Sequence, residues 1–151
     1  MKLETRNWFR YWLPALAWTA LILLFSTAHF SAEHTGRILR ALLEWLAGGV
    51  SAQQFELIHF LIRKSAHLIV YATLSLLWFR AQRGPRLGWQ PSWAALALLI
   101  SVLVAVSDEF HQSFLLTRTA TPWDVVLDSF GALLVQAAIA FSTRRPPHSP
   151  A

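Results

Sequence analysis

Basic, acidic and imidazole side chains interrupt three otherwise apolar runs of this chain. They are Arg63, Lys64 and His67 in one run, Asp108 and Glu109 in the next, and Asp124 and Asp128 in the last. Charges are costly in hydrocarbon, and in membrane proteins they usually face the interior of a helix bundle or a watery cavity. Such groups can supply a general base, cations that bind anions, and oxygen ligands for a metal ion. Which of these they supply depends on whether the fold brings them together.

Helical periodicity turns the polar residues of each run to one side. At about 100° per residue, each run has a single polar face. These faces hold Arg63, Lys64, His67 and Tyr71; then Ser101, Ala105, Asp108, Glu109 and Gln112; and finally Asp124, Asp128, Gly131 and Val135. His111 points away from the second face, whereas Gly131 lets a neighbouring helix approach the third face closely. We therefore predict that the three faces meet inside a helix bundle.

The composition favours a bilayer over water as the solvent. Hydrophobic residues make up 55% of the 151 residues and charged residues only 14%. A typical soluble domain has fewer apolar and more charged residues. The chain has no cysteine, which excludes disulfides and thiolate metal sites. Its net charge of +5 comes from arginines dispersed between the apolar runs, so we predict no nucleic-acid partner.

Four apolar runs are each long enough to cross a bilayer as a helix. They are Tyr11–Phe30, roughly Leu57–Phe79, Trp93–Gln112 and Trp123–Phe141. About 20 helical residues span the hydrocarbon, and these runs are too long for barrel strands. The first run, preceded by basic residues, also resembles a signal peptide with a small-residue pair at Ser26 and Ala28, although it is rather long for one. We predict an all-α integral membrane protein with four retained transmembrane helices.

A short amphipathic segment separates the first two runs. In RILRALLEWLAGGV, the apolar residues Ile38, Leu42, Trp45 and Leu46 share one helical face, and the glycines end the pattern. We predict a short helix that lies in the membrane interface, with a lid over a site as the alternative. Residues 1–143 then form one membrane domain, and the proline-rich residues 144–151 form a disordered tail.

The placement of lysine and arginine predicts how the helices are oriented, because cytoplasmic segments are enriched in these residues. We predict that both termini are cytoplasmic. The basic residues that then lie inside are Lys2, Arg6, Arg10, Arg80, Arg83, Arg86, Arg144 and Arg145, and those in the outer loops are Arg37, Arg40 and Arg118. In this orientation the second and fourth helices begin outside and the third ends there. All three polar faces therefore lie near the outer surface of the membrane.

Three sequence elements resemble the VanZ-like family. They are RKSAHLIVYATLSLL, SDEFHQSFLLTR and DVVLDSFGALL, and the residues that match the family pattern are Lys64, His67, Tyr71, Asp108, Glu109, Gln112, Arg118, Asp124, Asp128 and Gly131. One departure is that Ser129 and Phe130 stand where the family often has an asparagine near its glycine. The resemblance implies a multi-span protein of the bacterial inner membrane with a role in the cell envelope. The namesake of the family is associated with resistance to teicoplanin, and the resemblance implies no particular reaction.

The polar residues can form a ligand site or a scaffold. We take Lys64, His67, Tyr71, Asp108, Glu109, Gln112, Arg118, Asp124 and Asp128 as the candidate site. Together with Arg63, the cations Lys64 and Arg118 nearly balance its four carboxylates, so the cluster requires no metal or cofactor and we predict none. Mg²⁺ or Ca²⁺ held by the carboxylates is the alternative. An ion-pair network that sets helix register is the scaffold interpretation. Arg118 can hold a phosphate or carboxylate, or pair with Asp124, and His67 can act as a base or bond to Asp108.

Two functions fit these residues. In the first, the protein is not an enzyme and binds or shields an envelope lipid or glycan precursor at the outer face of the membrane. In the alternative, it is an intramembrane enzyme that acts on a lipid-linked phosphate or glycan, with Glu109, His67 and Arg118 as acid, base and anion-binding group. A proton-coupled transporter is disfavoured, because the charges do not cross the membrane and the sequence has no evident inverted repeat.

Overall fold

The computed structural model describes residues 2–26, 32–114 and 121–144, and these residues form five helices. The helices are α1 (Lys2–Phe25), α2 (Ala32–Ala47), α3 (Ala52–Arg83), α4 (Pro91–Gln112) and α5 (Pro122–Arg144). No strand occurs in these ranges. The helices α1, α3, α4 and α5 contain stretches that are long and apolar enough to cross a membrane. The prediction of an all-helical fold with four such helices is confirmed, and it indicates a multi-pass membrane protein.

Helix α3 extends beyond both ends of the apolar run from which it was predicted, because capping residues set its ends. It covers 32 residues. At its start, Ser51 Oγ accepts a hydrogen bond from the Gln54 N–H at 3.3 Å, and Gln54 Oε1 accepts one from the Ser51 N–H at 3.0 Å. At its end, Gly84 has a φ of 57°, which favours glycine. These reciprocal bonds and the glycine set the helix ends beyond the limits of the hydropathy signal.

Helix α1 ends at Phe25, before the predicted end of the first run at Phe30. The next residue, Ser26, is buried and its hydroxyl lies 3.0 Å from His111 Nδ1 and 3.5 Å from the Asp108 carbonyl oxygen. These contacts with the end of α4 mark where α1 stops. Arg144, the first residue of the predicted tail, is instead the last residue of α5, and residues 145–151 lie outside the described residues.

Helix α3 is the centre of the bundle and packs against the four other helices. Tyr71 and Leu74 of α3 are fully buried, together with Ala105 of α4 and Ile22 of α1. Two indole groups tie α1 to α3: Trp18 Nε1 donates to the Val70 carbonyl at 3.1 Å, and Trp78 Nε1 donates to Thr19 Oγ1 at 3.1 Å. These contacts make α1 part of the bundle.

Helices α3 and α5 touch backbone to backbone at Gly131. A Cβ atom at this position would lie 2.5 Å from the Leu68 carbonyl oxygen. No side chain fits into that space, so glycine is required for the approach. The close contact places the polar faces of the two helices within hydrogen-bonding distance of each other.

Many large apolar side chains on the outside of the bundle are exposed, as a lipid environment requires. The apolar side of α2 is exposed in the same way, since Ile38, Leu42, Trp45 and Leu46 make no core. Helix α2 contacts the bundle through α3. Its position in the membrane interface remains a prediction.

Candidate functional site

Two polar pairs link α3 to α5 on successive helical turns. Lys64 Nζ forms an ion pair with Asp124 Oδ1, and one turn further His67 Nδ1 lies 3.2 Å from Asp128 Oδ1 and 3.4 Å from Asp128 Oδ2. The paired residues advance along both chains in the same direction, so α3 and α5 run parallel. This is the relative direction that the predicted topology requires of the second and fourth spans.

Helix α4 adds a third polar group at the same level. The Tyr71 hydroxyl donates a hydrogen bond to Asp108 Oδ2 at 3.3 Å. Asp128 and Tyr71 are almost completely buried, and only 4% of the surface of Asp108 is exposed to solvent. The other carboxylate oxygen of Asp108, Oδ1, is buried and has no hydrogen-bond partner among the described residues. Glu109 Oε1 is in the same condition. A buried acceptor without a partner is costly, so these two oxygens are candidate contacts for a ligand.

Glu109 belongs to the same buried region but has a structural contact. Its Oε2 accepts a hydrogen bond from the Thr121 N–H at 2.9 Å, directly before α5 begins at Pro122. A carboxylate at a helix N-terminus satisfies a free N–H group and interacts favourably with the helix dipole. Glu109 therefore holds the start of α5, which in turn positions Asp124. This role competes with the one that the sequence assigned it as a catalytic acid.

A cavity of about 260 Å³ lies between α1, α3 and α4 and reaches these buried groups. Its polar lining residues are Ser26, Thr35, Arg63, His67, Tyr71, Asp108 and Gln112. The apolar lining residues are Ile22, Phe25, Ala66 and Val70. A largely apolar pocket with a few convergent polar groups is the usual form of a small-molecule site.

A second cavity, of about 390 Å³, lies between α2 and α3 and is strongly basic. Its ionisable lining residues are Arg37, Arg40, His59, Arg63 and Glu56. The Arg40 guanidinium lies 4.2 Å from the centre of the Phe55 ring. The His59 ring stacks on the same Phe55 ring, and their centres are 5.6 Å apart. Stacking on an aromatic ring restricts the arginine and leaves its N–H groups available. Arg63 lines both cavities and so joins the basic region to the buried carboxylates.

The structure brings together eight of the nine candidate site residues, but not in every predicted pairing. Asp124 pairs with Lys64, although its position near Arg118 in the chain suggested that arginine as a partner. His67 bonds to Asp128 and not to Asp108. Arg118 lies outside the described residues. The candidate residues that are described are Lys64, His67, Tyr71, Asp108, Glu109, Gln112, Asp124 and Asp128.

Sequence reasoning missed several residues around the site. His111 was placed off the polar face by periodicity, yet it contacts Ser26 across the gap to α1. The sequence marks Arg37 and Arg40 only as topology signals and does not single out His59. Their spacing with Arg63 carried no motif, because the basic cavity forms between two helices whose relative rotation is set by the fold.

Comparison with known proteins identifies a family. The sequence profile described as VanZ/LLP1 matches residues 11–142, which is most of the chain. The match includes all the helices except the first residues of α1 and the last residues of α5. Searches of curated proteins and of solved structures found no match.

Proposed function

We propose that this chain, which belongs to the VanZ/LLP1 family, binds the anionic head group of an envelope lipid at its two adjoining cavities. The observation that carries the proposal is the position of Arg63. This residue is half-buried, lines both cavities, and forms no ion pair within the described part of the chain. Because Lys64 is already paired with Asp124, Arg63 is the cation that can bind an anionic ligand between the cavities.

The basic cavity suits a phosphate group. Arg63 and Arg40 approach it from two different helices, and Arg40 is oriented by its contact with Phe55. Guanidinium groups bind phosphate oxygens through pairs of parallel N–H donors. Only Glu56 contributes a negative charge to this lining. A phosphate monoester or diester would therefore find an excess of positive charge there.

The first cavity suits the less polar part of the same ligand. Its walls are mostly apolar, and Asp108 Oδ1 offers an acceptor to a hydroxyl group at its buried end. A lipid-linked phosphate or sugar has this combination of anionic, hydroxylated and apolar parts. The proposal therefore assigns the phosphate to the arginines and the remaining head group to the cavity between α1, α3 and α4.

The family and the charge distribution support a place for this binding. With both termini in the cytoplasm of a bacterium, the two cavities open near the outer surface of the inner membrane. A glycopeptide that acts outside the cell cannot reach a precursor that is held there. In a strain that depends on this protein for teicoplanin resistance, Arg63→Gln should lower the resistance, whereas full resistance with a normally expressed variant would contradict the shielding role.

A binding assay tests the proposal directly. Purified protein is titrated with a polyprenyl phosphate in detergent, and separately with vesicles of phosphatidylglycerol or of phosphatidylcholine. A charge-assisted hydrogen bond contributes about 1.5–3 kcal/mol, so Arg63→Gln should weaken binding of the polyprenyl phosphate roughly 10- to 150-fold. The matched control is Arg10→Gln, which removes an exposed arginine in the N-terminal half of α1, whereas the cavities lie near its C-terminal end. Equal affinity of the wild type and the Arg63 variant would refute the proposal.

The vesicle arms identify the source of the phosphate. Preferential binding of the polyprenyl phosphate supports an envelope precursor. Equal binding to phosphatidylglycerol vesicles would refute the precursor and leave a site for bulk anionic lipid. No binding to either anionic ligand, with folded protein, would refute head-group recognition altogether.

The contact of His67 with Asp128 favours an enzyme as the second candidate function. The carboxylate orients the imidazole, and His67 also lines the cavity that Arg63 borders. An oriented imidazole beside an anion-binding group is the minimum equipment for general-base hydrolysis of a phosphate ester. Release of inorganic phosphate from a polyprenyl phosphate or diphosphate, lost in His67→Gln while binding persists, would establish this function.

A further inference from the structure

Three metal-ligating side chains converge from three different helices at the buried end of the first cavity. His67 of α3, Asp108 of α4 and Asp128 of α5 each present one ligand atom, and these atoms lie within 4.8 Å of one another. No helical spacing predicts this group, because each ligand comes from a separate helix. It forms only when the bundle closes around Gly131 and Tyr71.

The geometry is close to what a small divalent ion needs. Zinc binds histidine nitrogen and carboxylate oxygen at about 2.0–2.2 Å, so two ligand atoms of a tetrahedral site are about 3.4 Å apart. His67 Nδ1 already lies 3.2 and 3.4 Å from the two oxygens of Asp128. The remaining separations are at most 4.8 Å, so Asp108 would have to approach the other two ligands when an ion binds.

The condition of Asp108 is a second, independent indication of a ligand. Tyr71 binds Oδ2, and this hydrogen bond orients the carboxylate in the way that outer partners orient metal ligands. Oδ1 is left buried and without a partner among the described residues, and Asp108 lines the cavity. A buried carboxylate oxygen with nothing to bind is unfavourable unless a cation or donor occupies the adjacent space.

The local charge also favours a cation. The sequence suggested that Lys64 could neutralise these carboxylates, but the structure commits Lys64 to Asp124. Asp108 and Asp128 then lie close together beside the imidazole of His67. Arg63 lines the same cavity but forms no ion pair with either carboxylate among the described residues, so two buried carboxylates inside the membrane-spanning helices favour an added positive charge.

We propose that His67, Asp108 and Asp128 bind one divalent transition-metal ion of the zinc type. Three protein ligands leave a fourth position, and the cavity provides the space for water or a ligand oxygen there. The mixed nitrogen and oxygen ligand set suits Zn²⁺ better than Mg²⁺ or Ca²⁺, which prefer oxygen alone. The metal site shares Asp108 with the proposed lipid site, but titration of the protein with Zn²⁺ in the absence of lipid tests it separately.

The test uses the full chain, purified in detergent without a histidine tag, stripped with a chelator and dialysed. Calorimetric titration with Zn²⁺ alone should show one ion bound per chain. Asp108→Asn and Asp128→Asn should each weaken binding at least about tenfold, and Tyr71→Phe should weaken it about 10- to 100-fold by removing the orienting hydrogen bond. Glu44→Gln, which removes an exposed carboxylate of α2 outside the group, is the control and should bind Zn²⁺ as the wild type does.

Several results would overturn the proposal. The first is the absence of one-to-one Zn²⁺ binding to the folded wild type. The second is wild-type affinity in Asp108→Asn, and the third is a loss of affinity in Glu44→Gln as large as that in Asp108→Asn. If the aspartate variants do not fold, Tyr71→Phe decides, and its unchanged affinity counts against the site. Co²⁺ provides a spectroscopic check, because its visible absorption bands in the wild type should disappear in His67→Gln.

Discussion

Replacing Gly131 with alanine should force α3 and α5 apart. The new Cβ would lie 2.5 Å from the Leu68 carbonyl oxygen and 3.2 Å from the Leu68 Cα and carbonyl carbon. All three are backbone atoms, so no side-chain rotation can relieve the overlap. Ordinary contact begins at 3.4 Å, so the helices must separate by about 0.9 Å, the difference between 3.4 and 2.5 Å.

The expected loss of stability follows from two opposing effects. Overpacking a fitted interface costs about 1–3 kcal/mol, and here the clash is with backbone. Alanine favours the helix over glycine by about 1 kcal/mol, which offsets part of that cost. The separation also lengthens the contact between His67 and Asp128, which lies one turn from Gly131. We therefore expect a net destabilisation of about 1–2 kcal/mol.

Unfolding in detergent micelles measures this loss. The protein is titrated from a mild detergent into sodium dodecyl sulfate, and its helix content is followed by circular dichroism. A loss of 1.4 kcal/mol lowers the ratio of folded to unfolded protein about tenfold. Val126→Ile is the control, because it adds one carbon atom to α5 at an exposed position. If Gly131→Ala is as stable as the wild type or more so, the close approach of the two helices at this point is wrong.

Two further predictions concern polar contacts between α3 and α5. Lys64→Gln and Asp124→Asn should each destabilise the protein by about 1–2 kcal/mol. This value is discounted for solvent screening, because a third of the Lys64 side-chain surface is exposed. The double variant should lose less stability than the sum of the single variants, and additive losses in the same titration would show that the pair does not interact. Gln136 Nε2 donates to both the carbonyl and the hydroxyl oxygen of Ser75, so Gln136→Leu should cost about 0.5–1.5 kcal/mol, and no change would show that these bonds contribute little.

The secondary structure was predictable because it depends on local properties. The length and apolar character of four runs predict four membrane-spanning helices without knowledge of their neighbours. Helical phase also identifies the face of each helix that carries polar residues, as Tyr71 and Asp108 illustrate. The ends were less predictable, since α3 extends to caps at Ser51 and Gly84 that hydropathy does not register.

Only the tertiary structure decided which residues meet. The sequence presents several acids and bases at similar depth, and any of them could pair until the separation and rotation of the helices are known. The approach of Gly131 to Leu68 sets that separation for α3 and α5 and thereby pairs Lys64 with Asp124 and His67 with Asp128. The cavities arise in the same way, because they are spaces between helices. The sequence by itself therefore determines the helices and their polar faces, while the distances between those faces, which decide the pairing and the sites, are properties of the packed bundle.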